Sequence, residues 1–167
     1  MILRGKQGFT LIELMVGIAI IAIMTGIFLI NYQSSNRRSS LTFATQKAAN
    51  GIRTVEGYAM GLKLGVGGAN PPGWGIYFPA NTSSYYIFTD NNANNYYDSG
   101  ELYQKDIFTK GVLTGMGAST TIVFIPPDPL VYINNSTTST STVKLFDYIV
   151  GSQKELEINP FGLVDIK

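Results

Sequence analysis

A long run of apolar residues near the N-terminus is the strongest pattern in the chain. Residues 9–30 (FTLIELMVGIAIIAIMTGIFLI) contain a single charged residue, Glu13. The hydrocarbon core of a bilayer, about 30 Å thick, needs roughly 20 helical residues, so this run predicts a transmembrane helix. A secretory signal peptide has a shorter apolar core followed by an A-x-A-like site, whereas polar residues 31–38 follow here. The pattern therefore favours a membrane anchor.

The helical period continues beyond the apolar run, but on one face only. Between residues 41 and 62 apolar residues recur three or four positions apart, which is the spacing of one helix face: Leu41, Ala44, Ala48, Ile52, Val55, Ala59 and Leu62. Polar residues are predicted on the opposite face: Gln46, Lys47, Asn50, Arg53 and Lys63. Glycines and prolines between residues 65 and 73 predict that the helix ends near Leu64. Residues 31–64 are thus predicted to form an amphipathic stem helix.

Short β-type runs separated by turns follow residue 72. They cover residues 74–78, 85–89, 105–109, 121–125, 131–133, 143–149, 155–158 and 163–166. Several alternate apolar and polar residues, which predicts an antiparallel sheet with one wet face. Residues 134–142 (NNSTTSTST) are predicted to form an exposed loop, and residues 159–162 (NPFG) a turn between the last two strands. The predicted fold class is α+β, in which a long N-terminal helix packs on an antiparallel β domain of residues 65–167.

Composition excludes most familiar enzyme chemistry. The chain has no Cys and no His, so it cannot form a disulfide, a Ser-His-Asp triad, a thiol nucleophile or an imidazole base. Residues 64–167 hold nine Asp and Glu against five Lys. This acidic balance disfavours nucleic-acid binding, which depends on neutralising several phosphates. We predict a protein that is not an enzyme and requires no cofactor.

Glu13 is the one charged residue in the apolar run, which is an unusual position for a carboxylate. A carboxylate at the centre of a transmembrane helix costs about 2.5–3.5 kcal/mol on insertion scales, so such a residue usually has a partner. The alternative is that Glu13 lies close enough to the headgroups to reach water. Position alone leaves both interpretations open.

The residues around Glu13 form a recognisable motif. Residues 8–16 (GFTLIELMV) resemble the cleavage and methylation signature of the type IV pilin and type II secretion pseudopilin superfamily. The resemblance implies that a prepilin peptidase removes a basic leader, residues 1–8, by cutting between Gly8 and Phe9, and that Phe9 is then N-methylated. It also implies that Glu13 pairs with the N-terminal amine of a neighbouring subunit during assembly.

The resemblance also implies a function and a location. The chain would be a structural subunit of a type IV pilus or type II secretion pseudopilus, assembled with homologous subunits into a helical filament. Before assembly it would be a single-pass protein of the bacterial inner membrane, with its globular domain outside the cytoplasm. Many members of the superfamily carry a helix-kinking proline at the position of Ile30. The order of elements after the helix looks like that of minor pseudopilins of the GspH/FimT type.

One alternative function remains open, a ligand-binding minor pilin, used in DNA uptake or adhesion and displayed on such a filament. A DNA-capturing member should show clustered arginines near its C-terminus. Residues 159–167 contain one Lys, one Asp and no Arg. The tail therefore favours the structural role.

Residues 90–101 (DNNANNYYDSGE) fit the twelve-residue calcium-loop spacing D-x-[DN]-x-[DN]-G-x5-E, except that Asn95 replaces the sixth-position glycine. Asn tolerates the left-handed conformation required there. The predicted ligands are oxygens of Asp90, Asn92, Asn94, the Tyr96 carbonyl, Asp98 and Glu101. The alternative is a polar hairpin loop, because Asp, Asn, Ser and Gly also dominate turns.

Overall fold

A computed structural model describes residues 8–127 and 130–167, without the side chains of Ile30 and Val66. Residues 1–7 of the predicted leader, with the basic Arg4 and Lys6, lie outside the described part. The predicted long helix is confirmed as α1, Leu11–Met60, which continues through Ile30. Contacts divide the chain into two compact units, residues 1–36 and 37–167.

The second unit contains the predicted β domain, so the α+β fold class is confirmed. Two short 3₁₀ turns, Val66–Gly68 and Ser99–Glu101, lie between its elements. The strands are β1 Gly73–Phe78, β2 Ser84–Asp90, β3 Leu102–Ile107, β4 Val112–Thr114, β5 Thr120–Ile125, β6 Leu130–Ile133, β7 Ser141–Asp147, β8 Ser152–Ile158 and β9 Val164–Ile166.

The strands form two antiparallel sheets in the described residues, where the sequence predicted one. The first has the order β3-β2-β1-β5-β6 and the second β4-β7-β8-β9. The sequence pattern missed β4, which has three residues and is too short to show an alternation. Alternation reports which face of a strand is buried, but it does not report which strand lies beside which.

The core is built between the predicted helix stripe and the sheets. Leu41, Ala44, Ala48, Ile52, Val55 and Ala59 are buried as predicted, together with strand residues such as Trp74, Ile76, Leu145 and Leu156. Small residues allow a close approach. A Cβ at Gly51 would lie 3.0 Å from Cε2 of Tyr85 and 3.2 Å from Cδ1 of Ile76.

The helix ends at Met60, four residues earlier than predicted, because Leu62 adopts a left-handed conformation with φ of +47°. The N–H of Lys63 donates to the carbonyl of Tyr58 at 3.0 Å, and that of Leu62 to the carbonyl of Ala59 at 3.2 Å. These two bonds form a Schellman motif, which normally places glycine where Leu62 stands. Leu62 therefore leaves the apolar stripe and is 53% exposed.

Lys63 also departs from its predicted place on the solvent face. Its ammonium lies 3.4 Å from the ring centroid of Tyr58 and 4.9 Å from that of Tyr103. Those rings pack edge-on against Trp74, whose indole N–H donates to the Lys63 carbonyl at 3.1 Å. Lys63 thus covers an aromatic cluster at the end of α1.

Leu62→Gly should raise the free energy of unfolding by about 1 kcal/mol, because glycine adopts the left-handed conformation without the steric cost that other residues incur. The matched control is Met60→Gly, which is equally exposed at 53% but helical. It should lower stability by about 1 kcal/mol. Denaturant titration followed by the fluorescence of the only tryptophan, Trp74, measures both. Equal destabilisation by the two variants would contradict the motif.

Several loop predictions are also settled. The exposed loop predicted at residues 134–142 is shorter, since its last two residues begin β7. The strand predicted at 143–149 ends at Asp147, whose Oδ1 accepts the N–H of Ile149 at 2.9 Å and turns the chain. The strand predicted at 105–109 is β3, which begins three residues earlier. The predicted turn at residues 159–162 is confirmed, with the N–H of Gly162 donating to the Asn159 carbonyl at 3.0 Å.

Candidate functional site

The predicted cleavage position lies in a short non-helical segment. Residues 8–10 precede α1, and Gly8 and Phe9 are exposed. No atom of the described residues lies within 4 Å of the point where a Cβ would stand on Gly8. The Gly8–Phe9 peptide bond is therefore outside the helix and uncovered by other described residues.

Glu13 takes part in a hydrogen-bonding arrangement that the sequence analysis missed. Its Oε2 accepts the backbone N–H of Thr10 at 2.9 Å and the Thr10 hydroxyl at 2.8 Å, while its own N–H donates to Thr10 Oγ1 at 3.3 Å. Thr10 is the residue before the first helical residue, and Glu13 is the third in the helix. This is a capping box, which satisfies backbone donors at a helix start. The T-x-x-E spacing is the sequence signal that could have found it.

The surroundings of Glu13 are apolar and open. Phe9 and Glu13 border the same shallow groove along α1, whose other lining residues are Ile12, Val16, Gly17 and Ile20. A Cβ at Gly17 would meet no atom of the described residues within 4 Å, so the space above this glycine in the groove is open. The structure thus brings Phe9 and Glu13 to one apolar surface.

That apolar surface continues along residues 11–29 of α1. By length and composition, α1 is the one described helix able to cross a membrane, and the apolar window has none of its residues buried. The exposed large side chains include Leu11, Ile12, Leu14, Met15, Ile18, Ile21, Ile23, Met24, Ile27 and Phe28. An apolar surface of this size requires lipid or another protein to cover it.

The acidic loop, residues 90–101, is held by hydrogen bonds among its own predicted ligands. Asp90 is buried, and its two carboxylate oxygens accept the N–H groups of Asn94 at 3.1 Å and Asn95 at 3.0 Å. Asn95 has φ of +62°, which is the left-handed conformation predicted for the sixth position. Tyr96 donates its N–H to Oδ1 of Asn94 at 2.8 Å.

The other two carboxylates of the loop are similarly engaged. Glu101 is buried, and its oxygens accept the N–H groups of Asn91 at 2.8 Å and Asp98 at 3.3 Å. Asp98 Oδ2 accepts the side-chain amides of Asn92 at 2.8 Å and Asn94 at 2.9 Å. Within residues 8–127 and 130–167 no three acidic side chains come together in a group able to hold a metal ion. The predicted set also includes the amide oxygens of Asn92 and Asn94 and the Tyr96 carbonyl, so calcium binding stays a prediction from the sequence.

An aromatic residue anchors the loop to the first sheet. The Tyr97 ring stacks on Tyr77 with centroids 5.1 Å apart and meets Phe88 edge-on at 5.4 Å. Burial raises the pKa of the Tyr97 phenol, and neighbouring Tyr86 and Tyr77 raise it further. Tyr97 therefore stays neutral across the physiological range.

Glu101→Gln should lower the free energy of unfolding by about 1–3 kcal/mol in the presence of a calcium chelator, because one backbone N–H would then face an amide N–H₂ group. The control is Asp98→Asn, which should lower the free energy of unfolding less because Asp98 is exposed. Titrating millimolar calcium into both variants and the wild type tests the calcium prediction in the same melting experiment. A rise in wild-type melting temperature that Glu101→Gln loses would establish the site, whereas equal curves with and without calcium would establish a polar loop.

A scan against protein families matches residues 3–29 to the prokaryotic N-terminal methylation motif. No curated protein and no solved structure matches the chain. The matched segment includes Gly8, Phe9, Thr10 and Glu13, the residues that surround the helix start described above. The chain therefore carries the N-terminal signature of type IV pilins and pseudopilins, the substrates of prepilin peptidase.

Proposed function

We propose that this protein is a structural subunit of a type IV pilus or a type II secretion pseudopilus. The observation that carries the proposal is the exposed apolar surface of residues 11–29, which contains one carboxylate at its N-terminal end. Such a surface suits lipid before assembly and neighbouring helices afterwards. Proteins with this motif are structural rather than enzymatic.

Glu13 supplies the specificity of assembly in this proposal. Cleavage between Gly8 and Phe9 creates a positively charged amine on Phe9, which borders the same groove as Glu13. Opposite charges attract strongly in an apolar medium, and removing one partner leaves the other uncompensated. The amine of one subunit and the Glu13 carboxylate of its neighbour would therefore set the register of the helices. The capping box with Thr10 holds the carboxylate at the helix start, where that amine would arrive.

The same surface gives the location before assembly. The apolar helix anchors the chain in the inner membrane, and the basic Arg4 and Lys6 favour a cytoplasmic N-terminus. Residues 37–167 would then lie outside the cytoplasm. Within this proposal, the likeness to minor pseudopilins of the GspH/FimT type stays a prediction.

The processing step has a direct test. When the chain is expressed with an active prepilin peptidase, the membrane-extracted protein should begin at Phe9 and carry one N-terminal methyl group. Intact-mass spectrometry measures this, and expression with a catalytically inactive peptidase is the control. A mass that still includes residues 1–8 in the presence of the active enzyme would contradict the proposed processing.

A further inference from the structure

The turn between β7 and β8 presents three consecutive apolar side chains to the outside. Tyr148, Ile149 and Val150 are 57%, 50% and 38% exposed. Hydrogen bonds to Asp147 nevertheless fix the backbone of this turn. Oδ1 of the buried Asp147 accepts the N–H groups of Ile149 at 2.9 Å and Val150 at 3.4 Å, and the Gly151 N–H donates to the Asp147 carbonyl at 2.9 Å. We call residues 148–150 the apolar turn.

Basic residues flank the apolar turn. The Tyr148 N–H donates to the Gly111 carbonyl at 3.3 Å. A Cβ on Gly111 would lie 3.3 Å from Cδ1 of Ile149 and 2.7 Å from Nη1 of Arg37, so both side chains converge at this glycine. Arg37 Nη1 also donates to the Lys110 carbonyl at 3.3 Å. Two basic residues, Arg37 and Lys110, thus lie at the turn, and Arg38 follows Arg37 in the chain. The one acidic residue of segments 108–111 and 147–151 is the buried Asp147.

We propose that the apolar turn and its basic flank dock on the surface of an anionic phospholipid bilayer while the subunit awaits assembly. The inference rests on the proposed function, in which residues 9–30 span that bilayer. Arg37 follows residue 30 by seven residues, and a stretch of that length spans at most about 25 Å even when fully extended. The chain therefore tethers the basic flank close to the headgroups.

The chemistry of the turn matches this location. Tyrosine is enriched at membrane interfaces, where its ring contacts the acyl boundary and its hydroxyl stays hydrated. The transfer of isoleucine and valine side chains from water to that boundary is favourable in free energy. Arginine and lysine beside them are attracted to lipid phosphates. Assembly then requires this contact to be released as the subunit leaves the membrane.

The chain provides a matched control at the other end of β8. Phe161 and Leu163 are 81% and 68% exposed, so they are at least as apolar and accessible as the apolar turn. β8 separates the two turns, because Ser152 pairs with Asp147 at one end and Ile158 with Ser141 at the other. At about 3.3 Å per residue this distance is about 20 Å. If apolar exposure alone decided bilayer contact, both turns would enter the bilayer to the same extent. Docking beside the membrane span would instead place only the apolar turn there.

Spin labelling of the full chain tests the proposal, since the absence of cysteine allows single labelling sites. Ile149→Cys, Phe161→Cys and Ile21→Cys would each carry a nitroxide in vesicles of phosphatidylglycerol and phosphatidylethanolamine. Collisional relaxation by oxygen, which enters the bilayer, is compared with relaxation by a water-soluble nickel complex. The ratio of oxygen to nickel relaxation at position 149 should be several-fold higher than at position 161. Arg38→Gln with Lys110→Gln, or vesicles of phosphatidylcholine alone, should lower it, with Trp74 fluorescence confirming the fold.

Three results would overturn the proposal in distinguishable ways. Equal ratios at 149 and 161, with position 21 deep in the bilayer, would refute docking and leave the membrane anchor standing. A water-exposed position 21 would refute the anchor as well. Protection at 149 that disappears when the protein is diluted in excess lipid would show that a second copy of the chain covers the turn.

Discussion

Glu13→Gln should leave the protein in the membrane but remove it from filaments. Glutamine is also accepted at the third helical position of a capping box, so it retains the bond with Thr10 while losing the charge. Breaking a buried ion pair costs about 3–5 kcal/mol, which corresponds to at least about a 100-fold loss of incorporation. Quantifying the chain in sheared filament and membrane fractions measures the effect.

Thr10→Ala is the matched control, because it removes the capping hydroxyl and keeps the charge. It should cost the helix start about 0.5–2 kcal/mol and leave incorporation largely intact. If Thr10→Ala abolished assembly and Glu13→Gln did not, Glu13 would be a helix cap and not the pairing group. The two variants therefore separate the structural from the functional role of one carboxylate.

Gly75→Ala should destabilise the β domain by about 3 kcal/mol, at the upper end of what overpacking a core costs. Gly75 pairs with Phe88 across β1 and β2, and the Phe88 ring lies directly over it. A Cβ on Gly75 would be 2.2 Å from Cζ of Phe88, which is fully buried and cannot move aside without disturbing Tyr97. Chemical unfolding followed by Trp74 fluorescence measures the loss.

Two further variants show whether the clash is the cause. The double variant Gly75→Ala with Phe88→Leu should lose less stability than the sum of the two single variants, because the shorter side chain makes room. Gly57→Ala, in α1 with no atom within 4 Å of the added Cβ, should instead gain up to about 1 kcal/mol. Additive losses in the double variant would contradict the steric explanation.

Long patterns were predictable from the sequence, and single-residue conformations were not. The apolar run and the helical stripe specified α1 because each repeats its period over many residues. The end of the helix was misplaced because Leu62, a residue with no glycine signal, adopts φ of +47°. β4 was missed because three residues cannot display an alternation, and this short strand lies at the edge of the second sheet.

The candidate sites show the same division. The motif at residues 8–16 predicts roles for Gly8, Phe9 and Glu13 because its spacing is local, and the structure adds Thr10 as the residue that holds Glu13. In the acidic loop, the spacing of Asp90, Asp98 and Glu101 suggested calcium ligands. Spacing does not reveal that backbone N–H groups already occupy both oxygens of Asp90 and of Glu101. Hydrogen-bond partners of this kind emerge only from the folded loop.

In the proposed function, this chain becomes part of an envelope-spanning filament. The most direct measurement is mass spectrometry of sheared, purified filaments from cells that express the wild-type chain with its assembly machinery. We expect filaments to contain the chain in its processed form, beginning at Phe9, in amounts that deletion of the prepilin peptidase abolishes. Filaments that lack the chain, while all of it remains in the membrane fraction, would contradict the claim.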